Sequence, residues 1–163
     1  MKGLLFDNVD SVIDATGLIL GRMASITAKR LLQGERIIIV NAEKAVISGR
    51  RKNIVGEAKK FLEIGHFRKG PYHPRRPERI VKRTVRGMLP RDKSRGREAL
   101  KRLRVYSGLP DSLKDAEKCT LPEAKADKLR CPYITVGDLA KEVGWFPRAV
   151  SYTHLTLPTT PYV

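Results

Sequence analysis

The sequence has little cysteine, few aromatic residues and no long apolar run. Its two cysteines, Cys119 and Cys131, have neither the spacing of a zinc site nor the number that a disulfide framework needs, so we expect reduced thiols in the cytosol. The longest apolar run of consequence, residues 37–40, has four residues, whereas a transmembrane helix needs about 20. The first ten residues carry both signs of charge, no long apolar stretch and no small-residue cleavage site, which predicts no secretion signal.

Histidine is also scarce, which limits the catalytic chemistry open to this chain. The histidines before residue 150 are His66 and His73, and both lie in a segment rich in proline and arginine, which favours contact with phosphate or bases over proton abstraction. The sequence contains no Gly-x-Ser-x-Gly turn, no His-Glu-x-x-His helix and no Walker lysine. It therefore predicts no catalytic or metal-binding residues, no cofactor and no small-molecule substrate.

One pattern nevertheless favours an enzyme. Asp14 is followed by Gly17 and Gly21 ahead of a predicted helix, which is loosely similar to a dinucleotide-binding turn. That fingerprint requires G-x-G-x-x-G, whereas this turn has G-x-x-x-G, so we interpret it as a tight strand-to-helix connection. The alternative of an α/β enzyme that acts on RNA with a nucleotide or methyl-donor cofactor stays open. Under either interpretation, Arg22 beside the helix N-terminus is placed to attract an RNA phosphate.

Positive charge is abundant and unevenly distributed. The chain of 163 residues has 33 Lys and Arg against 17 Asp and Glu, a net charge of +16. Residues 66–104 alone hold fifteen Lys and Arg and only three acids, which gives this segment a net charge of +12. Such a concentration repels itself unless a polyanion binds to it. Nucleic acid is the first candidate partner, and an anionic membrane surface is the second.

The first 64 residues alternate between strand and helix patterns. Apolar residues recur at the helical period or form short β-branched runs, and we predict strands at 11–15, 36–40 and 45–48 and helices at 22–32 and 53–64. Within the second helix we place Ile54, Ala58, Phe61 and Leu62 inward. This alternation predicts an α/β fold with a parallel sheet and helices on its faces.

A basic arm follows at residues 65–104. Its first part, GHFRKGPYHPRRP, contains three prolines and two glycines and predicts an exposed, extended loop in which Phe67 and Tyr72 lie among the cations. A helix is predicted from Pro77 to just before Pro90. Two stripes run along it, one basic (Arg79, Lys82, Arg83, Arg86) and one apolar (Ile80, Val81, Val85, Met88, Leu89).

The rest of the chain is predicted in less detail. We expect a basic loop at 91–97, a short helix through 99–103, a last strand at 105–106 and a surface excursion at 111–128. Thr135 and Asp138 form a capping box that opens a helix reaching about Gly144. The segment from 150 to 163 reads as an in-frame translation of a sequencing adapter. We therefore predict one domain, 1–149, and a non-native tail, 150–163.

Three segments resemble a known family: VIDATGLILGRMAS, IIIVNAEKAVISG and RRPERIVKRTVRGMLPRDKSRGREALKRLRVYSG. In these the chain is similar to the large-subunit ribosomal protein L-thirteen family in its archaeal and eukaryotic form, over residues 12–145. The resemblance implies a three-layer α/β/α domain around a small parallel sheet of about four strands. It also implies a structural constituent of the large subunit in the cytoplasmic ribosome, with ribosomal RNA and neighbouring large-subunit proteins as partners, a role in assembly and no catalytic activity.

The resemblance also points to particular RNA-binding residues. Its motifs place ten on the arm, namely Arg75, Arg76, Arg79, Arg83, Arg86, Lys93, Arg95, Arg97, Lys101 and Arg102. Charge and position add six more, namely Arg22, Arg68, Lys69, His73, Lys82 and Arg91. Because no aromatic RNP motif or helix-turn-helix is present, we expect recognition of phosphate and shape. A free regulator that binds messenger RNA would present the same surface.

Overall fold

A four-stranded sheet lies at the centre of the structure, a computed structural model that describes residues 9–66, 68–114 and 116–146. Its strands are β1 (Ser11–Asp14), β2 (Ile37–Val40), β4 (Leu103–Val105) and β5 (Lys118–Cys119). They lie in the order β4-β2-β1-β5, and all three pairings are parallel. The predicted α/β class and the parallel sheet are confirmed. The predictions for Phe67 and for residues 150–163 lie outside the described residues.

Two predictions about this sheet are wrong. The strand predicted at 45–48 exists as β3 (Val46–Ser48), but it pairs antiparallel with β6 (Tyr133–Thr135) in a separate sheet. The fourth central strand is β5, inside the segment we expected to be a surface excursion. That segment is anchored by buried Leu113, Leu121 and Ala124, which are scattered among charged residues without a regular period.

Five α-helices surround these sheets in the described part of the chain: α1 (Leu20–Gln33), α2 (Arg51–Glu63), α3 (Pro77–Gly87), α4 (Ser94–Lys101) and α5 (Val136–Glu142). α4 begins inside the predicted basic loop, and β4 begins inside the predicted short helix, so both boundaries were wrong. Gly96 weakened the helical pattern, yet the packing requires it, because a Cβ added there would lie 2.0 Å from the carbonyl oxygen of Pro90. No helix among the described residues is long and apolar enough to cross a membrane.

The central strands are buried on both faces. Ile13, Ile37 and Ile39 pack in one cluster with Met23 and Leu31 of α1, and this cluster also contains apolar residues of α3 and α4. The alternate residues of the strands, Val12, Ile38 and Val40, pack with Leu113, Leu109 and Tyr106. Burying each of these isoleucines contributes about 1.5–3 kcal/mol. This double burial explains why RIIIV shows no alternation of apolar and polar residues.

α2 covers a smaller cluster formed by Ile134, Leu139 and Val143. Ile54, Ala58 and Leu62 face this cluster as predicted, whereas Phe61, predicted inward, is 53% exposed. Met88, predicted on the apolar stripe of the arm, is also exposed. The predicted N-cap at Thr135 is confirmed, because the amide of Asp138 donates to Thr135 Oγ1 at 3.1 Å. The reciprocal contact joins the two side chains, with Thr135 Oγ1 donating to Asp138 Oδ2 at 2.7 Å.

Candidate RNA interface

The turn after β1 is occupied by a network of its own hydrogen bonds. Asp14 Oδ1 accepts from the amide of Thr16 at 3.0 Å, from Thr16 Oγ1 at 2.7 Å and from Asn41 Nδ2 at 3.0 Å. Burial raises the pKa of Asp14, but these hydrogen bonds, with the charge of Lys118, outweigh burial and lower the pKa below 3.8. The carboxylate thus joins Thr16 to the side chain of Asn41, a residue with a left-handed backbone, and closes a structural turn.

The basic stripe of α3 forms one side of an open groove of about 450 Å³. α3 begins with Pro77 at its first turn, and buried Val81 and Val85 hold its apolar side on the core. This orientation turns the opposite side of the helix outward. Four cations, predicted together from their helical spacing, therefore line the groove: Arg79, Lys82, Arg83 and Arg86.

The other side of the groove is the segment Tyr72, His73 and Pro74. Tyr72 is 72% exposed, yet its hydroxyl donates to the carbonyl of Arg68, and Arg83 Nη1 donates to the carbonyl of Tyr72 at 3.1 Å. His73 stacks on Phe61 with ring centroids 5.5 Å apart and an interplanar angle of 22°. The aromatic rings of this segment are thus held in place while the face of Tyr72 remains open to solvent.

Lys82 is the cation whose surroundings favour an anion most directly. Burial lowers its pKa, and the charge of Arg104 lowers it further. A phosphate between these two side chains would relieve both effects, because it replaces lost water and screens the repulsion. Arg104, exposed on β4, was missing from the predicted set. Its position between Leu103 and Val105 in a short strand was the signal that identifies it as outward-facing.

The first part of the arm is more ordered than the predicted extended loop. His66 and Gly70 pair through both backbone hydrogen bonds, with N–O distances of 3.1 and 2.8 Å, so Arg68 and Lys69 lie in a tight turn. Beyond it, Arg76 Nη1 lies 3.9 Å from Glu78 Oε1, and Arg75 reaches towards the backbone of Gly144. These four cations are exposed and do not line the groove.

Two predicted RNA-binding arginines contact the protein itself. Arg102 Nη2 donates to the carbonyl of Leu31 at 3.0 Å, and Arg95 Nη2 donates to the carbonyl of Leu32 at 3.2 Å. Both carbonyls lie in the last turn of α1, where the helix dipole favours a cation. The carbonyl of Leu31 also accepts from the amide of Gly34 at 3.2 Å. Arg102 is half-buried and holds this helix end in place.

The remaining predicted residues lie apart from the groove. They are exposed on the turn after α3, on α4 and on the first turn of α1: Arg91, Lys93, Arg97, Lys101 and Arg22. The groove itself combines four cations with a rigid, exposed aromatic ring. Guanidinium groups bind phosphate through paired hydrogen bonds, and aromatic faces stack on bases, so this arrangement is suited to RNA. Within residues 9–66, 68–114 and 116–146, no group of His, Cys, Asp or Glu is arranged to hold a metal ion.

Comparison with known proteins gives a consistent result. The family model of ribosomal protein L13 matches residues 9–112. A Methanosarcina barkeri protein named large ribosomal subunit protein uL13 is 52% identical over 136 residues, which are 82% of this chain and 97% of the relative. Relatives with the same name from Archaeoglobus fulgidus and Aeropyrum pernix are 49% and 48% identical, covering 83% and 82% of this chain and 88% and 89% of their own lengths. The resemblance seen in the sequence motifs is thus confirmed, and the chain belongs to the ribosomal protein L13 family.

Proposed function

We propose that this chain is a structural, non-enzymatic constituent of the large subunit of the cytoplasmic ribosome that binds large-subunit ribosomal RNA through the groove on α3 and supports subunit assembly. Family membership supports the ribosomal role. The observation that carries RNA binding is the groove itself, in which Arg79, Lys82 and Arg86 face outward beside the fixed ring of Tyr72. Neighbouring large-subunit proteins are further partners under this proposal.

The exposed cations outside the groove extend the same surface. Arg68 and Lys69 in the turn, and Arg97 and Lys101 on α4, give the arm a positive field on which an RNA backbone is held by phosphate contacts. Arg83 has a positioning role in this scheme, because its hydrogen bond to Tyr72 fixes the opposite side of the groove. Recognition is by phosphate position and RNA shape, with stacking on Tyr72.

The salt dependence of RNA binding tests the proposal. Arg79, Lys82 and Arg86 are changed together to Gln, and binding to deproteinised large-subunit ribosomal RNA of Methanosarcina barkeri is measured by filter binding across a series of KCl concentrations. Each lost phosphate contact flattens the slope of log K against log salt by about 0.7–0.9, so we expect a change of about 2–3. Arg83 is left intact to preserve the groove.

A matched control removes the same charge elsewhere. Lys29, Lys114 and Lys125 are exposed and do not line the groove, and their joint change to Gln lowers the net charge equally. We expect this variant to keep the wild-type slope to within about one contact. Equal slopes for the two triple variants would show that the groove is not the RNA-binding site.

A further inference from the structure

An apolar cavity of about 370 Å³ lies beside the basic groove. α2 contributes Ala58, Phe61 and Leu62 to its lining, and α5 contributes Leu139 and Val143. This size falls in the range of small-ligand pockets, roughly 300–1,000 Å³. The cavity is therefore large enough for a planar group to enter.

The cavity and the basic groove share a wall. His73, Pro74 and Arg83 line both of them, the groove on one side and the cavity on the other. Arg83 thereby brings a fixed positive charge to the edge of the apolar cavity, because its Nη1 is held on the carbonyl of Tyr72. An occupant attached to a phosphate chain would place its anionic part in the groove and its apolar part in the cavity.

The lining of the cavity offers both a stacking surface and polar contacts. Phe61 is 53% exposed and stacks on His73, so two stacked aromatic rings form part of the lining. Thr84 donates its hydroxyl proton to the carbonyl of Ile80 at 3.1 Å, which leaves the Thr84 oxygen as an acceptor in the cavity wall. A nucleobase combines an aromatic face with amino and carbonyl edges and matches both features.

We propose that this cavity receives an unstacked nucleobase from the RNA whose backbone lies in the basic groove. The inference rests on the proposed function and adds a base-binding site to it. The shared cationic wall favours this occupant over an apolar side chain of a neighbouring protein, because only the RNA also supplies phosphates for Arg83 and the groove. Capture of one base makes binding depend on an unpaired nucleotide at one place in the RNA.

Filling the cavity tests the proposal. Gly87 lines it, and a Cβ added there meets no atom within 4 Å, so Gly87→Leu adds an apolar side chain at the cavity wall from an unobstructed position. Gly56→Leu on α2 is the matched control, because Gly56 is also helical and unobstructed but does not line the cavity. A second pair, Phe61→Ala and Ile64→Ala, removes an exposed side chain from inside and outside the cavity lining, respectively.

Affinity for the Methanosarcina barkeri large-subunit RNA and chemical probing of its bases with dimethyl sulfate and carbodiimide are the readouts. We expect Gly87→Leu and Phe61→Ala to weaken binding about 5- to 150-fold, the range for loss of one stacked base, with the salt slope unchanged. One base protected by the wild-type protein becomes reactive with both variants. The two controls bind as the wild type does, and thermal melting confirms that all four variants are folded.

Three results would overturn the inference. Wild-type affinity and protection in both cavity variants, with a normal salt slope, would show that the cavity is empty in the complex. Normal binding to RNA combined with loss of a neighbouring protein from reconstituted subunits would assign the cavity to a protein segment instead. If the wild-type chain itself shows no salt-dependent binding, the proposed function has failed, and the base-binding site fails with it.

Discussion

Substituting Gly96 by alanine is expected to destabilise the domain, although the same change stabilises most exposed helices. Alanine stabilises a helix interior by about 1 kcal/mol relative to glycine, because its helix propensity is higher. At Gly96 the new Cβ would lie 2.0 Å from the carbonyl oxygen and 2.7 Å from the carbonyl carbon of Pro90. Those atoms belong to the backbone that follows α3 and have no rotamer through which to retreat. α4 must therefore move away by about 1.4 Å to restore ordinary van der Waals contact.

The expected size follows from these opposing effects. Overpacking of this kind costs about 1–3 kcal/mol and occasionally more, and the helix-propensity gain offsets about 1 kcal/mol of it. We expect a net loss of up to about 2 kcal/mol for Gly96→Ala, a fall in Tm of several degrees. Gly56→Ala, at a helical glycine with nothing within 4 Å, should instead gain a few tenths to about 1 kcal/mol.

Urea unfolding followed by circular dichroism measures both variants. Because the two substitutions are chemically identical, the test is whether the free energy of unfolding falls for Gly96→Ala and rises for Gly56→Ala. If Gly96→Ala is as stable as Gly56→Ala, α4 does not approach Pro90 as closely as described. Since Leu100 of α4 lines the basic groove, Gly96→Ala should also weaken RNA binding, whereas Gly56→Ala should not.

Two further predictions concern single side chains. Asp14 has a lower pKa folded than unfolded, so its hydrogen bonds stabilise the fold above about pH 3.8 and this contribution is lost as the pH falls through the folded pKa. Asp14→Ala should cost about 1–3 kcal/mol at pH 7 and less at pH 3 in urea titrations, and an equal loss at both pH values would contradict this account. Arg102→Met should cost about 0.5–1.5 kcal/mol by removing one hydrogen bond to the carbonyl of Leu31, which keeps its bond from the amide of Gly34, while Arg97→Met, at an exposed position of the same segment, should change stability by less than about 0.5 kcal/mol.

The parts of the fold that could be predicted were those with a local signal. β2 follows from an uninterrupted β-branched run, α1 and α3 follow from helical periodicity, and the cap at Thr135 follows from its capping box. β5 has no such signal, because it is two exposed residues long and exists only through its pairing with β1. The start of α4 was not predicted for a related reason. The helix contains Gly96, which lowers its helix propensity, and the close contact with Pro90 requires a glycine at that position.

The candidate site divides in the same way. Helical spacing was enough to place Arg79, Lys82, Arg83 and Arg86 on one face. The roles of individual arginines depend on tertiary contacts, however, and these contacts cannot be predicted from spacing in the sequence. Arg83 holds Tyr72, and Arg102 holds the end of α1, yet in the sequence both look like any other arginine of the arm.

The pairing of β5 with β1 also bears on how the chain folds as it is made. β1 ends at Asp14, while its outer neighbour is not complete until Cys119 has been synthesised. Synthesis proceeds from the N-terminus, so β1 can pair with β2 early but keeps one open edge for most of translation. An open strand edge is a template for pairing with other chains. The late, two-residue β5 therefore acts as the closing strand that ends this exposure in the nascent protein.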